Sequence, residues 1–210
     1  SRTVSIPPYE LKIESLSSLD QTIDQLFAYL KETGQENELE RLSPYFGTLW
    51  PSGVVLAKKI ATLESNASQR CLEIGCGLAV PSLILLKKGM NVTATDIHPH
   101  VPEFLEKNLS HNALPSLRYE NMHGLRDSSE PLKYDFIYGS DILYERYHAE
   151  SVAQIIERKL STAGRAWITD PARPYLQDFL AHMTRLGFQH RYEIEKESEK
   201  EIFFFEFWKS

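Results

Sequence analysis

The stretch that decides the fold is Cys71-Leu72-Glu73-Ile74-Gly75-Cys76-Gly77-Leu78-Ala79. It opens with a short apolar run and continues through two glycines into a second apolar run around residues 80–88. This order predicts a strand, a glycine turn and a helix, as at the start of a parallel α/β sheet. Ligands of such sheets bind at the carboxyl ends of the strands, so the turn predicts a ligand site beside Gly75 and Gly77.

Outward from this stretch, short apolar strands alternate with helical patterns. The predicted strands are 71–74, 91–95, 117–120, 135–138 and 166–169, and the helical patterns lie around 80–88, 101–109, 152–160 and 176–183. Residues 191–194 and 202–208, joined by a charged stretch, predict an antiparallel hairpin rather than a crossover. We therefore predict an α/β fold with a mainly parallel seven-stranded sheet, a C-terminal antiparallel hairpin and helices on both faces.

The N-terminal part has a different pattern. Residues 1–16 contain no long helical period and predict an extended arm, and residues 18–33 predict an amphipathic helix capped by Ser18 and stopped by Gly34. We expect an N-terminal extension over residues 1–43 and one domain over residues 44–210. We favour packing of this helix on the sheet over a role as a lid.

Charge and composition restrict the partners. The 210 residues carry 23 Lys and Arg against 29 Asp and Glu, a net charge of −6, which disfavours nucleic acid and anionic membranes as partners. No apolar run approaches the ~20 residues of a membrane helix, and residues 1–20 lack the layout of a signal peptide. We therefore expect a cytoplasmic protein without a membrane partner, whose two cysteines are reduced.

The acidic residues at the strand ends indicate the kind of ligand. The dinucleotide pattern G-x-G-x-x-G fails because Val80 stands at its third glycine. Glu73 would repel a pyrophosphate at this position but suits an ammonium or a sulfonium. Asp96 ends the next strand, where a carboxylate can accept the hydroxyls of a ribose, although an acid that caps the following helix is an alternative.

The glycine stretch resembles the first motif of class I S-adenosylmethionine-dependent methyltransferases, (Asp/Glu)-x-Gly-x-Gly-x-Gly, with Ala79 in place of the third glycine. Residues 50–53, Trp-Pro-Ser-Gly, and the Asp141-x-x-Tyr144 pair after the fourth strand are similar to methyltransferase family 16, which includes protein-lysine methyltransferases. This resemblance spans residues 44–209. It implies a Rossmann-like fold, S-adenosylmethionine as cofactor and S-adenosylhomocysteine as product.

The resemblance also implies roles for individual residues. Asp141 and Tyr144 are expected to orient the methyl acceptor, although Tyr144 could instead pack on the sheet. No metal site is expected, because His98 and His100 lack a third ligand at a recognisable spacing. The expected cofactor-binding residues are Trp50, Glu73, Gly75, Cys76, Gly77, Ala79, Asp96, Ile97, Asn121, Met122 and Ser140.

A finer resemblance concerns residues 169–174, Thr-Asp-Pro-Ala-Arg-Pro. They look like the Gly-Asp-Pro-Gly-Arg-Pro of the branch that methylates the electron transfer flavoprotein β-subunit. The resemblance predicts methyl transfer to a protein side chain, with a lysine amine of a protein partner as the acceptor. Two alternatives stay open at this point, a small-molecule N- or O-methyltransferase and a non-catalytic S-adenosylmethionine-binding scaffold.

Overall fold

The computed structural model describes residues 1–122 and 132–210 of the chain. Its strands are β1 (Arg2–Ile6), β2 (Tyr9–Ile13), β3 (Arg70–Ile74), β4 (Asn91–Asp96), β5 (Arg118–Asn121), β6 (Tyr134–Ser140), β7 (Leu160–Asp170), β8 (Gln189–Glu197) and β9 (Lys200–Trp208). Its α-helices are α1 (Leu19–Thr33), α2 (Leu39–Leu42), α3 (Pro51–Ala61), α4 (Val80–Lys87), α5 (Val101–His111), α6 (Arg146–Lys159) and α7 (Leu176–Arg185). Short 3-10 turns lie at Glu36–Glu38 and Tyr45–Gly47.

One seven-stranded sheet forms the centre of the molecule, in the order β5-β4-β3-β6-β7-β9-β8. The first five strands in this order run parallel, and β9 and β8 are antiparallel. The predicted α/β fold with its C-terminal hairpin is confirmed. Because parallel strands end at the same edge, β4, β3, β6 and β7 bring Asp96, Ile74, Ser140 and Asp170 to one side of the sheet.

Helices cover both faces of this sheet. On one face, α3, α4 and α5 pack with Cys71 and Tyr138, and on the other, α6 and α7 pack with Leu72 and Ile74. Alternate residues of β3 therefore belong to different cores, since successive side chains of a strand point to opposite faces. Each fully buried Leu or Ile contributes about 2 kcal/mol to this packing.

The N-terminal residues form a hairpin, β1 and β2, rather than a simple extended arm. Its Ile6, Leu11 and Ile13 are fully buried in the core that contains α3, α4 and α5. Asn108 of α5 accepts a hydrogen bond from the main-chain N–H of Glu14 at 2.7 Å, which fixes the end of the hairpin. These strands have five residues each, which is too few for an alternation of apolar and polar side chains to be recognised in the sequence.

Helix α1 ends where the sequence predicts. The Ser18 hydroxyl accepts from the main-chain N–H of Gln21, and Gly34 stops the helix with a φ of +67°. However, of its residues only Leu30 is buried, Phe27 is 46% exposed, and the helix lies beside α2 and the turn Glu36–Glu38. This position differs from the expected packing on the sheet.

Within the described ranges, no helix combines the length and the apolar composition that a membrane span requires.

Candidate functional site

A cavity of about 840 Å³ opens at the carboxyl edge of β3, β4 and β6. This volume lies in the usual range for small-molecule sites. Glu73 and Asn121 are not among the described residues that line it. The other expected residues do line it, and they are Trp50, Gly75, Cys76, Gly77, Ala79, Asp96, Ile97, Met122, Ser140, Asp141 and Tyr144.

The turn after β3 has a left-handed backbone at Gly75, Gly77 and Ala79, with φ values of +65°, +50° and +58°. A Cβ on Gly75 would lie 2.7 Å from Cγ2 of Ile142, and one on Gly77 would lie 3.0 Å from the carbonyl oxygen of Phe46. The turn therefore requires both glycines, for its backbone conformation and for its close neighbours. Ala79 adopts the strained conformation that the third glycine of the motif would adopt freely.

The Asp96 carboxylate connects this turn to the loop after β4. Its Oδ2 accepts from the N–H of Gly77 at 2.9 Å, and its Oδ1 accepts from the N–H groups of Ile97 and His98 at 2.7 and 2.9 Å. Burial raises the pKa of Asp96, and these three hydrogen bonds act against that rise. Helix α5 has His100 as its N-cap, so Asp96 does not cap it.

The position of Glu73 corrects the expectation that its charge faces a cationic ligand. The side chain is 1% exposed, and its carboxylate accepts from the hydroxyl of Ser82 in α4. The Ser82 oxygen lies 2.7 Å from the Tyr138 hydroxyl, so the three groups form a buried chain. Burial raises the pKa of Glu73 to about 8. The alternation of side chains along β3 turns Glu73 towards α4 and away from the cavity.

Asp141 lies on the cavity wall and is held by an arginine. Its φ is +59°, and its N–H donates to the carbonyl oxygen of Thr169 at 2.9 Å. Arg173, from the loop after β7, donates from both Nε and Nη2 to the Oδ1 of Asp141. The motif at residues 169–174 marks this loop, but the sequence offers no sign that Arg173 pairs with Asp141.

Asp170 binds the main chain of Arg173. It is fully buried, and its Oδ1 accepts from the N–H of Arg173 at 2.6 Å. Burial raises the pKa of Asp170 to about 6, and the nearby charge of Asp141 adds to the rise. Arg173 thus binds two carboxylates, Asp141 through its guanidinium and Asp170 through its main-chain N–H.

Tyrosines surround the open end of the cavity near Asp141. Tyr144 is 39% exposed, and its ring lies 6.2 Å from the ring of Tyr45 and 4.5 Å from the ring of His148. Burial of the rest of the side chain raises the pKa of Tyr144. Because Tyr144 lines the cavity, its position favours the functional interpretation over packing on the sheet. Tyr45 and Tyr147 also line the cavity, and sequence reasoning missed both.

The segment from Asn37 to Phe46 forms a further wall of the cavity. The His98 ring lies 4.2 Å from the Phe46 ring, and His98 Nε2 donates to the carbonyl oxygen of Leu42 at 3.2 Å. Its Nδ1 accepts from the N–H of His100 at 3.2 Å, and burial lowers the pKa of His98, so the ring is neutral. Among the residues that the structure describes, no group of three His, Cys, Asp or Glu side chains could hold a metal ion.

The donor set fits a ligand that combines a sugar, a flat ring and a carboxylate. Asp96 has the acidic oxygens that suit a ribose, and Ile97 and Met122 present apolar surface for a ring. Ser52, in the first turn of α3, is fully buried on the cavity wall, and its hydroxyl has no hydrogen-bond partner in the described part of the chain. A helix N-terminus with such a hydroxyl suits a carboxylate.

Comparisons with known proteins agree with this geometry. Residues 36–185 match the family model described as lysine methyltransferase. The chain is 26% identical over 148 residues to the histone-arginine methyltransferase METTL23 of Xenopus laevis. This alignment covers 61% of this chain and 61% of the Xenopus protein. It is 28% identical over 127 residues to the protein-lysine methyltransferase METTL21E of Bos taurus, in an alignment that covers 53% of this chain and 42% of the bovine protein. The chain thus spans about half the length of these curated relatives.

Two solved structures share the fold. A methyltransferase from Pyrococcus furiosus superposes with a TM-score of 0.62 at 17% identity, and the superposition covers 95% of this chain and 90% of the Pyrococcus chain. The precorrin-6y C5,15-methyltransferase of Geobacter metallireducens gives 0.59 at 16% identity, with coverage of 74% and 85%. Together with the match over residues 36–185, the fold places the chain among the class I methyltransferases, as a member of methyltransferase family 16 with S-adenosylmethionine as its cofactor.

Proposed function

We propose that this protein transfers a methyl group from S-adenosylmethionine to the side-chain amine of a lysine in a protein substrate. The observation that carries the proposal is the buried Asp141 carboxylate on the cavity wall, which binds a cation, Arg173, and is accompanied by Tyr144. The names of the relatives, a protein-lysine and a histone-arginine methyltransferase, support a protein acceptor with a cationic side chain.

Several residues would hold the cofactor. Asp96 would accept the ribose hydroxyls, Ile97 and Met122 would pack on the adenine, and Ser52 with the start of α3 would bind the carboxylate of the methionine part. Trp50 donates from its indole to the carbonyl oxygen of Tyr45 at 3.0 Å, so it connects the cofactor side to the aromatic opening.

In the proposed mechanism, the cofactor supplies an electrophilic methyl group that passes to a nucleophilic nitrogen. A lysine ammonium has a pKa of about 10.4, so it enters the cavity as a cation, and it must release one proton to solvent after it has reached Asp141 and before its nitrogen has a free electron pair. Asp141 and the Tyr144 oxygen then accept the remaining N–H groups and direct that electron pair towards the methyl. Tyr144 keeps its own proton, because its pKa is raised, so it orients the amine and is not the base. Holding the reactants in line supplies much of the rate.

An arginine acceptor is the second candidate. The observation that favours it is the geometry at Asp141, whose oxygen already accommodates a guanidinium. A contact in which two N–H groups of a planar guanidinium converge on one carboxylate oxygen suits arginine especially well.

The test is transfer of labelled methyl from S-adenosylmethionine into a cell extract that is then separated into protein and small-molecule fractions. We expect label in one or a few protein bands, and mass spectrometry of those bands distinguishes lysine from arginine. Asp141→Ala should lower the transfer roughly a hundredfold, because it removes an orienting charge from the reacting centre. Asp178→Asn, which alters an exposed carboxylate of α7, is the matched control and should keep full activity.

Other outcomes would overturn the proposal. Label only in the small-molecule fraction would favour a small-molecule methyltransferase. Tight binding of S-adenosylmethionine without any transfer would favour a non-catalytic scaffold. Equal transfer by Asp141→Ala and by the unaltered chain would remove Asp141 from the mechanism.

A further inference from the structure

The carboxylate that the proposed reaction needs is already occupied by a side chain of the same protein. Asp141 is 7% exposed on the cavity wall, and its Oδ1 receives both Nε and Nη2 of Arg173. Arg173 itself lines the cavity, and 30% of its side chain is exposed. A cationic acceptor that enters the cavity therefore meets a carboxylate whose charge is already paired.

A second buried carboxylate, Asp170, is a direct neighbour of Arg173. The Oδ1 of Asp170 accepts from the N–H of Arg173, which places Asp170 beside the main chain of this arginine. Its Oδ2 is buried and has no hydrogen-bond partner within residues 1–122 and 132–210. A buried carboxylate oxygen without a partner is unfavourable, so Asp170 gains from a guanidinium that reaches it.

The main chain indicates which side chain would move. The positive φ of Asp141 and its N–H bond to Thr169 fix the backbone of this carboxylate. Arg173 has a long and partly exposed side chain, whose guanidinium can change position while its own N–H stays on Asp170.

We propose that Arg173 is a specificity-determining residue that is exchanged between two carboxylates: a cationic acceptor side chain displaces its guanidinium from Asp141, and Arg173 moves to Oδ2 of Asp170. The proposal rests on the proposed function and narrows its substrate class to primary ammonium and guanidinium groups. A neutral hydroxyl or thiol that displaced Arg173 would leave the buried Asp141 charge without a counter-ion, which is strongly unfavourable. The exchange therefore selects, at the binding step, acceptors that enter the cavity as cations.

The experiment uses the full chain with S-adenosylhomocysteine and two probes, n-butylammonium as an analogue of the lysine side chain and n-butanol as its neutral counterpart. Binding is followed by NMR through the Nε–H resonance of Arg173, assigned by its absence in Arg173→Met. We expect n-butylammonium to shift this resonance and n-butanol to leave it unchanged. Arg173→Met should bind n-butylammonium about tenfold more tightly, if the internal competitor leaves Asp141 free for about a tenth of the time.

Asp170→Asn separates exchange from simple electrostatic attraction. Asparagine keeps an oxygen for the N–H of Arg173 but offers no charge to the displaced guanidinium. We expect it to weaken n-butylammonium binding when Arg173 is present and to have no effect in the Arg173→Met background, a non-additive pair. Equal weakening in both backgrounds would show that Asp170 acts only as a distant charge, and the exchange would be refuted.

Unchanged or weaker n-butylammonium binding by Arg173→Met would also refute the competition. Affinity for S-adenosylhomocysteine checks that each variant is folded, and Arg173→Gln replaces Arg173→Met if that variant does not fold. No methyl transfer is measured here, so the result is independent of the labelling experiment. A chain that labels no protein can still pass or fail this binding test.

Discussion

The buried carboxylate of Glu73 leads to a prediction in which a conservative substitution stabilises the protein. Burial raises the pKa of Glu73 from 4.5 to about 8, so the folded chain keeps a proton at pH 7 that the unfolded chain releases. The free energy of unfolding therefore falls as the pH rises from 4.5 to 8. At pH 7, about 2.5 pH units above the ordinary pKa, the loss is about 3 kcal/mol at 1.36 kcal/mol per unit.

Glu73→Gln removes this loss, because an amide resembles the protonated acid and does not titrate. Its NH₂ can donate to the Ser82 oxygen, which lies beside the Tyr138 hydroxyl in the buried chain. We expect the variant to match the unaltered protein within about 1 kcal/mol at pH 5 and to exceed it by about 3 kcal/mol at pH 7. Urea denaturation at both pH values measures the difference.

Glu193→Gln is the control, because Glu193 is an exposed carboxylate paired with Lys59. It should change the free energy of unfolding by at most about 1 kcal/mol, as surface ion pairs do. A Glu73→Gln variant that is less stable than the unaltered protein at pH 7 would refute the reasoning, since Glu73 would then be ionised in the fold. A large loss of S-adenosylmethionine affinity would show that Glu73 contacts the cofactor after all.

Three further predictions concern the backbone, a helix cap and a histidine. Ala172 is exposed with a φ of +65°, so Ala172→Gly should raise the free energy of unfolding by about 1 kcal/mol in urea denaturation. Ala163→Gly, at an exposed position of β7 outside the left-handed region, should lower it by about 0.5 to 1 kcal/mol. Ser18→Ala removes the cap of α1 and should destabilise this helix by about 1 kcal/mol, measured as faster amide exchange over residues 19–33. The lowered pKa of His98 means that the folded chain binds a proton less readily than the unfolded chain, so stability falls as the pH drops below 6.5. His98→Asn cannot be protonated and should flatten the fall in melting temperature between pH 6.5 and 5.

Each of these predictions has a contrary result. Equal effects of Ala172→Gly and Ala163→Gly would mean that Ala172 is not strained. A large drop in melting temperature for Ser18→Ala would mean that α1 is coupled to the core more strongly than the single buried Leu30 indicates. An equally steep pH dependence in His98→Asn would assign the acid sensitivity to other groups.

The sequence by itself determined the features that depend on neighbouring residues. Gly75 and Gly77 stand where the backbone turns left-handed, and the cap at Ser18 and the stop at Gly34 lie at the predicted ends of α1. The strands of the sheet and its C-terminal hairpin also follow the predicted pattern. Apolar periodicity, glycine conformation and capping act over a few residues, so they can be read without knowledge of the fold.

Only the tertiary structure decided which side chains meet. The alternation of side chains along β3 predicts that Cys71 and Glu73 lie on the same face of the sheet. It does not predict that α4 covers this face. The ion pair between Arg173 and Asp141 joins residues 32 positions apart, and it forms because β6 and β7 are neighbours in the sheet. The burial of the β1–β2 hairpin and the cavity wall around Phe46 likewise depend on distant elements. Strand order and helix packing set such contacts, because they bring together residues that lie far apart along the chain.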